Sequence, residues 1–546
     1  MTTALPRVAL AALALVALLV GLANLDRPLA NPDEGRYSEI SREMVASGDW
    51  VTPRLDAIKY FEKPPLQYWA TAAAFEVFGT GEIPARLYVW FAGFATLVIV
   101  GFAAARLADP RTGLASVLVL AASPYFMALG GVVTLDMGLT LWTTATFFAL
   151  LLAEHAVGRP REQRLWMLAS WAAMALAVLS KGLVGIVFAG AAVFFVMVFS
   201  RGISILRRMH WGWGLAIFLA IAAPWFIAVS RANPEFARFF FIHEHFERFL
   251  THEHRRVQPA WFFVPIVLVG FLAWLPALFA AIASAWRAPE VAGGRPLRVA
   301  LAWSLFILAF FSASGSKLPT YVLPLFPALA YVVGRYVAHA SCRSLSRSAW
   351  VFLALSIVLV GTASFLPDFT HDAWNQALYL EARPWAMVAA GALALGAVGS
   401  DLALARDRRW LAMASAAMGT VIALGGFGMA YDALTPRQSG LAVAAAMQPF
   451  LAANPRAYSV AYYDQTIPFY IRRPVTLVSY VDEFETGLAA EPGLAIARLD
   501  DFPAEWLRPG EALAIMQPRA FAQMKALGLP MQVLHEDPRR VLVRKP

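Results

Sequence analysis

The stretch NPDEGRYSEI (Asn31 to Ile40) sets Asp33 and Glu34 side by side, directly after an apolar run, with Arg36 and Glu39 following. Charge is scarce in this chain: 15% of its 546 residues are Asp, Glu, Lys or Arg, and 59% are hydrophobic. Two adjacent carboxylates here need a reason. A helix start supplies part of it, because Asn31 suits the N-cap, Pro32 the first helical position and Glu34 the third, in a capping-box-like pattern. Tyr37, Ile40 and Met44 then form an i, i+3, i+7 stripe that fits a membrane interface. This reading uses Glu34 and leaves Asp33 over. Asp33 is therefore the candidate reactive carboxylate.

Further groups able to do chemistry fall in a few places. In KYFEKPPLQYW (Lys59 to Trp69), Glu62 and Lys63 stand against the rigid pair Pro64-Pro65, flanked by Tyr60 and Phe61. A lysine held this way can act as a point charge for phosphate. The carboxylate beside it could orient the lysine or hold a metal, or the two could be a solvated pair before a helix. Asp136 stands at the start of an apolar segment, where it is either a cap together with Thr134 or a second site carboxylate. Lys181 lies between two apolar segments, where lysines often snorkel, and Lys317 and Tyr321 share SASGSKLPTYVLP. The run Phe239 to Arg256 holds His243, His245, His252 and His254. Their i, i+2 spacing keeps each pair off a common helix face. A single histidine, His243, working beside Arg248 fits better than a four-histidine zinc cluster.

Membrane-spanning helices must position these groups. Mean hydropathy is +0.59, and the apolar residues come in blocks of 17 to 27, the length that crosses a hydrocarbon core of about 30 Å at 1.5 Å per residue. The chain reads as a polytopic α-helical membrane protein with thirteen spans, near 8–25, 84–106, 112–130, 134–154, 164–180, 182–200, 211–230, 260–286, 298–314, 318–338, 348–366, 384–404 and 409–430. The opening residues, with Arg7 and small residues near Ala23, also have the pattern of a signal peptide; the length of the apolar stretch favours a retained first helix. LQYWATAAAFEVFG (66–79) has 14 residues, short for a span and suited to an interfacial helix.

Charge fixes the sides. With thirteen spans and the N-terminus inside, the inner loops and flanks hold 18 arginines, whereas the short outer loops hold only Lys181, Lys317 and Arg383, as the positive-inside rule requires. Counting 66–79 as a span would invert every later loop. The net charge of +9 thus reports topology rather than a nucleic-acid partner. One cysteine, Cys342, excludes an intrachain disulfide. Two long outer loops follow, 26–83 and 231–259, so 1–432 reads as a membrane domain. Residues 433–546 read as an outer α/β domain: a helix at 438–452, strands at 457–463, 474–480 and 512–517, a helix in PRAFAQMKALG, and a hairpin from MQVLHED and RRVLVRK. All the candidate groups fall on the outer face. Together they are the inventory for a phosphate-bearing lipid reacting at the outer leaflet, with cations neutralising phosphate and carboxylates positioning an acceptor or a sugar. A transporter would show an internal repeat and charges near the span centres, and neither is visible.

The run from Asp33 through Pro65, followed by ARLYVWFAGFATLVIVG, resembles the start of the polyprenyl-phosphate-dependent membrane glycosyltransferases of the protein-O-mannosyltransferase superfamily. Within it the chain is most similar to the bacterial 4-amino-4-deoxy-L-arabinose (aminoarabinose) lipid A transferases. The likeness covers essentially the whole chain, and its motifs mark the superfamily more sharply than the branch.

The resemblance implies a GT-C type fold with thirteen transmembrane helices, two juxtamembrane helices in the first outer loop and a C-terminal periplasmic α/β domain. It implies a monomeric enzyme of the bacterial inner membrane that moves aminoarabinose from undecaprenyl phosphate to lipid A phosphates. That transfer masks negative charge and gives resistance to cationic peptides such as polymyxin. A relative moving a hexose to protein or another glycan is the second reading. By the same resemblance Asp33 is the principal catalytic carboxylate and Asp136 its partner, and Lys63 binds the donor phosphate with Arg248 and Lys181 near it. Glu62 would be a ligand of one divalent metal, zinc. Tyr60 and His243 would line the cavity, with Lys317 and Tyr321 added from their position alone.

Overall fold

Among the described residues, helices predominate as far as Asp432. The computed structural model describes residue 21 and residues 25–241, 258–289 and 294–546. Among these, seven helices are long and apolar enough to cross a membrane: Glu82–Leu107, Leu135–His155, Trp211–Ala232, Pro296–Ala313, Cys342–Ser364, Ala373–Leu404 and Arg409–Asp432. Phe263–Gly270 and Leu272–Arg287 form an apolar pair bent by 75°, the shape of a broken span or a re-entrant loop. Pro160–Lys181 and Val184–Ser200 are helical where spans are expected. The expected first span, 8–25, lies outside the described residues except at 21 and 25.

Several expected spans break or lengthen, for local reasons. The segment 112–130 splits into Pro110–Ala121 and Pro124–Leu129, because Ser123 caps a new helix by accepting from the Phe126 amide at 3.3 Å and Pro124 suits its first position. A 3₁₀ turn, Pro319–Val322, precedes Leu325–His339. Ala373–Leu404 begins well before the expected 384, where Asp372 caps it through the Asn375 amide at 2.8 Å.

The segment 26–83 carries two helices where two are expected, Asp33–Ser47 and Leu66–Phe78. The second has 13 residues, roughly 20 Å at 1.5 Å per residue, too short to cross. Between them a two-residue hairpin pairs β1 (Arg54–Leu55) with β2 (Ile58–Lys59). Its turn residues, Asp56 and Ala57, both have positive φ (56° and 62°), as a two-residue hairpin loop demands.

The C-terminal part builds a five-stranded sheet from β3 (Arg456–Val460), β4 (Thr476–Val478), β5 (Ala512–Met516), β6 (Gln532–Glu536) and β7 (Val541–Arg544), ordered β4-β3-β5-β7-β6. β3 runs parallel to β4 and β5, with Ser459 opposite Leu477 and Ile515, while β7 is antiparallel to β5 and β6. Period-two alternation sends Tyr458, Val460, Ala514 and Met516 to one face, where Phe502 and Trp506 cover them. The other face presents Ala457, Leu477, Leu513, Ile515 and Leu542 to Tyr37, Ile40, Leu55, Tyr60 and Tyr68. The segment 26–83 and the C-terminal sheet thus share one core.

Candidate active site

Glu34 organises the start of the first juxtamembrane helix. Arg86, at the start of a spanning helix, donates Nε to its Oε1 at 2.9 Å and Nη2 to its Oε2 at 2.8 Å. Arg27 Nη2 donates to Oε1 at 3.1 Å, and the Val133 and Ala30 amides donate at 3.0 Å each. Burial would push this carboxyl up, but the Arg86 and Arg27 charges outweigh it and hold the group at about 2. The expected cap is corrected here. Pro32 occupies the N-cap, no side chain caps the helix, and Asn31 Oδ1 is buried with no hydrogen-bond partner among the described residues. Glu34 is chiefly an anchor for two arginines, with the bond to the Ala30 amide as its capping remnant. Through Val133 it also fixes the entry to Leu135–His155, three residues before Asp136.

Asp33 is turned the other way. Its side chain is 37% exposed, and Oδ1 accepts from Arg36 Nη1 at 3.0 Å. Arg36 is buried and donates its other terminal nitrogen, Nη2, to Glu483 Oε2 at 2.6 Å. Glu483 Oε1 accepts from Gln465 Nε2 at 2.8 Å. Burial raises the Glu483 carboxyl, and Glu62 adds to the rise while Arg36 opposes it. Tyr60 is fully buried, its hydroxyl has no hydrogen-bond partner among the described residues, and it lies within electrostatic reach of Arg36 and Glu62. Burial pushes its phenol well above the ordinary range. Lys63 Nζ donates to the Glu62 carbonyl at 2.8 Å and lies 3.9 Å from Glu62 Oε2, both side chains mostly buried. The solvated-pair alternative for Glu62-Lys63 does not hold.

A second cluster forms around Asp136, which is buried and pairs with Lys181 through Oδ1. Lys181 Nζ also sits 4.3 Å from the centre of the Tyr321 ring, a cation–π distance. Thr134 is the N-cap but makes no side-chain cap bond, so Asp136 is held by a cation rather than spent on capping. The structure therefore joins three residues named separately from sequence: Asp136, Lys181 and Tyr321. Lys317 is buried and donates to the Ser314 carbonyl at 2.6 Å, holding the turn before Tyr321. His243 and Arg248 lie outside the described residues.

The metal reading does not fit the described residues. Among them no group of three or more His, Cys, Asp or Glu could hold an ion, and the immediate neighbour of Glu62 is the Lys63 cation. A cavity of about 610 Å³ lies elsewhere: Trp90, Phe94, Leu424 and Phe427 line it with Arg27 and Tyr431, and none of Asp33, Lys63, Asp136 or Lys181 borders it.

With this geometry in hand, similarity to known proteins is informative. The crystal structure of ArnT from Cupriavidus metallidurans bound to undecaprenyl phosphate superposes with a TM-score of 0.93 at 35% identity, covering 98% of each chain. The chain belongs to the ArnT family. The same ArnT in its apo state matches with a TM-score of 0.92 at 34% identity, again over 98% of each chain. The model of the aminoarabinose transferase C-terminal domain matches residues 443–545, and that of dolichyl-phosphate-mannose-protein mannosyltransferase matches 8–240. Among curated relatives, the undecaprenyl phosphate-alpha-4-amino-4-deoxy-L-arabinose arabinosyl transferase of Shewanella sediminis is 33% identical over 321 residues, 58% of this chain and 57% of its own. That of Erwinia tasmaniensis is 32% identical over 61% of this chain and 60% of its own. These matched stretches thus span less than two thirds of either relative. The archaeal oligosaccharyltransferase AglB of Archaeoglobus fulgidus, at 13% identity and a TM-score of 0.50 over 93% of this chain and 69% of its own, shares the fold alone. The fold is the GT-C membrane type with a C-terminal sheet domain, and the chain is a multi-pass membrane protein.

Sequence reasoning missed Arg36 as a bridge, Glu483 as its partner with Gln465 behind it, and Arg86 as the counter-ion of Glu34. Arg36 stood inside the quoted stretch. Glu483 could not be found by spacing, being 447 residues from Arg36.

Proposed function

We propose that this protein transfers 4-amino-4-deoxy-L-arabinose from undecaprenyl phosphate to phosphate groups of lipid A, at the periplasmic face of the bacterial inner membrane. The observation that carries this reading is the 35% identity over 98% of an ArnT crystallised with undecaprenyl phosphate. The match of 443–545 to the aminoarabinose transferase C-terminal domain favours this branch over protein mannosylation. In the proposed arrangement thirteen spans, 1–432, carry the catalytic groups, and 433–546 is a periplasmic domain. Capping lipid A phosphates with an amino sugar lowers surface negative charge and so weakens binding of cationic peptides such as polymyxin.

The chemistry is a displacement at the sugar's anomeric carbon. A lipid A phosphate oxygen forms the new C–O bond, and the bond to the undecaprenyl phosphate oxygen breaks with its electron pair. A phosphate oxygen is already ionised near pH 7, since the second phosphomonoester pKa is about 6, so it needs positioning rather than deprotonation. Departure of the polyprenyl phosphate is the harder half, and Lys63 is assigned to its charge. Asp33 orients the acceptor or holds the sugar's amino group, while Asp136 with Lys181 forms the second wall of the site.

Reconstituted protein supplied with the lipid-linked sugar and either lipid A or a serine-containing peptide tests this reading. Transfer to lipid A alone supports it, and transfer to the peptide hydroxyl overturns the acceptor assignment.

A further inference from the structure

Asp33 lies on the membrane domain, yet the chain of contacts that holds it ends in the C-terminal domain. Arg36 is the bridge, 3.0 Å to Asp33 and 2.6 Å to Glu483. Glu483 is itself fixed. Gln465 donates to its second oxygen at 2.8 Å, and the next residue, Phe484, is fully buried with its ring centre 5.0 Å from that of Tyr463 and 6.3 Å from that of Tyr480. The two segments meet at backbone distance: a Cβ on Gly35 would sit 2.6 Å from the Gln465 carbonyl carbon.

A plain docking salt bridge is the competing account, and the interface has other polar links. Arg54 pairs with Glu491 at 2.8 and 2.9 Å, the Val475 amide donates to Asp56 at 2.7 Å, and the Leu29 amide donates to the Tyr470 hydroxyl at 2.7 Å. With the shared apolar core, these suffice to dock the domain. The Arg36 link differs because one prong of its buried fork ends on the partly exposed candidate catalytic carboxylate. A planar guanidinium held at one end fixes the direction of the group at the other.

We infer that Glu483, braced by Gln465, is a positioning residue of the transfer reaction, acting on Asp33 through Arg36, so that the C-terminal domain completes the active site. This inference rests on the reading of Asp33 as a site carboxylate. Glu483→Gln keeps the shape and removes the charge that shares Arg36 with Asp33.

The test is a double-mutant cycle on the full-length protein in proteoliposomes, with initial rates measured against donor concentration. Glu483→Gln is expected to lower kcat about ten-fold, within the roughly 10²-fold that a 1 Å misplacement can cost, with the donor KM within two-fold of wild type. Asp33→Asn/Glu483→Gln is expected to match Asp33→Asn alone, because without the carboxylate there is nothing for Glu483 to orient. Multiplicative losses in the double variant, or a wild-type kcat for Glu483→Gln beside an impaired Asp33→Asn, overturn the inference while leaving the Asp33 reading intact. Wild-type activity in Asp33→Asn overturns both. If Glu483→Gln fails to fold, Gln465→Ala, which removes only the brace, should show a smaller kcat loss that also vanishes in the Asp33→Asn background.

Discussion

Arg86 Nε and Nη2 grip both oxygens of Glu34, at 2.9 and 2.8 Å, and neither side chain is more than 2% exposed. This two-point pair joins the first spanning helix after the outer loop to the helix that presents Asp33. Breaking one member leaves buried charge uncompensated, which costs about 3–5 kcal/mol. Glu34→Gln should therefore lower the yield of folded, detergent-extracted protein and its melting temperature. The stability supplied by Glu34 is fully present above an unfolded value of 4.5 and is lost only as pH falls through about 2. A Glu34→Gln protein as stable as wild type at pH 7 would contradict the anchoring role.

Asp33→Asn separates two roles for the candidate carboxylate. Transfer to an ionised phosphate needs positioning only, so the expected loss is about ten-fold. A loss of roughly 10²–10⁴-fold in initial rate would instead mark general-base transfer to a hydroxyl.

Lys63 is assigned to the leaving phosphate, so Lys63→Ala should abolish transfer while the protein still inserts and purifies as wild type. Lys63→Arg should recover part of the rate, since a guanidinium also contacts phosphate, but in a different geometry. Substantial transfer by the alanine variant would remove the phosphate-binding role.

A cluster of carboxylates under the hairpin predicts a pH dependence. Both oxygens of Glu43 face the Ala57 amide, at 3.1 and 3.0 Å, and burial with the neighbouring Glu39 charge pushes its carboxyl up to about 8. Burial also raises Asp56 well above its usual range. For a raised carboxyl the stabilising contribution is complete below the unfolded value of 4.5 and is lost as pH rises through about 8. Glu43→Gln, which stays neutral, should match wild type near pH 4.5 and gain a few degrees of melting temperature over it by pH 9. Parallel melting curves across that range would contradict the assignment.

How far the sequence alone reaches follows from range. Apolar length gave the seven long apolar helices that the described residues hold, and the 14-residue limit with the arginine bias kept Leu66–Phe78 out of the expected spans. The strands and hairpin of the C-terminal sheet followed from alternation. Breaks such as that at Ser123-Pro124 were missed because apolar content does not register helix starts. At the site, residue type singled out Asp33, Lys63, Asp136 and Lys181, since charge at a span edge is costly. It misjudged Glu34, whose partners Arg86 and Val133 are 52 and 99 residues away. Pairing is decided by packing, and no local pattern encodes which distant cation meets which carboxylate.

The proposed activity is transfer of aminoarabinose to lipid A. Mass spectrometry of lipid A from cells that make the undecaprenyl-linked sugar, with and without this protein, tests it most directly. Species heavier by one or two aminoarabinose residues, placed on the phosphates, are expected in cells carrying the protein and not in those lacking it. An identical lipid A profile in the two would contradict it.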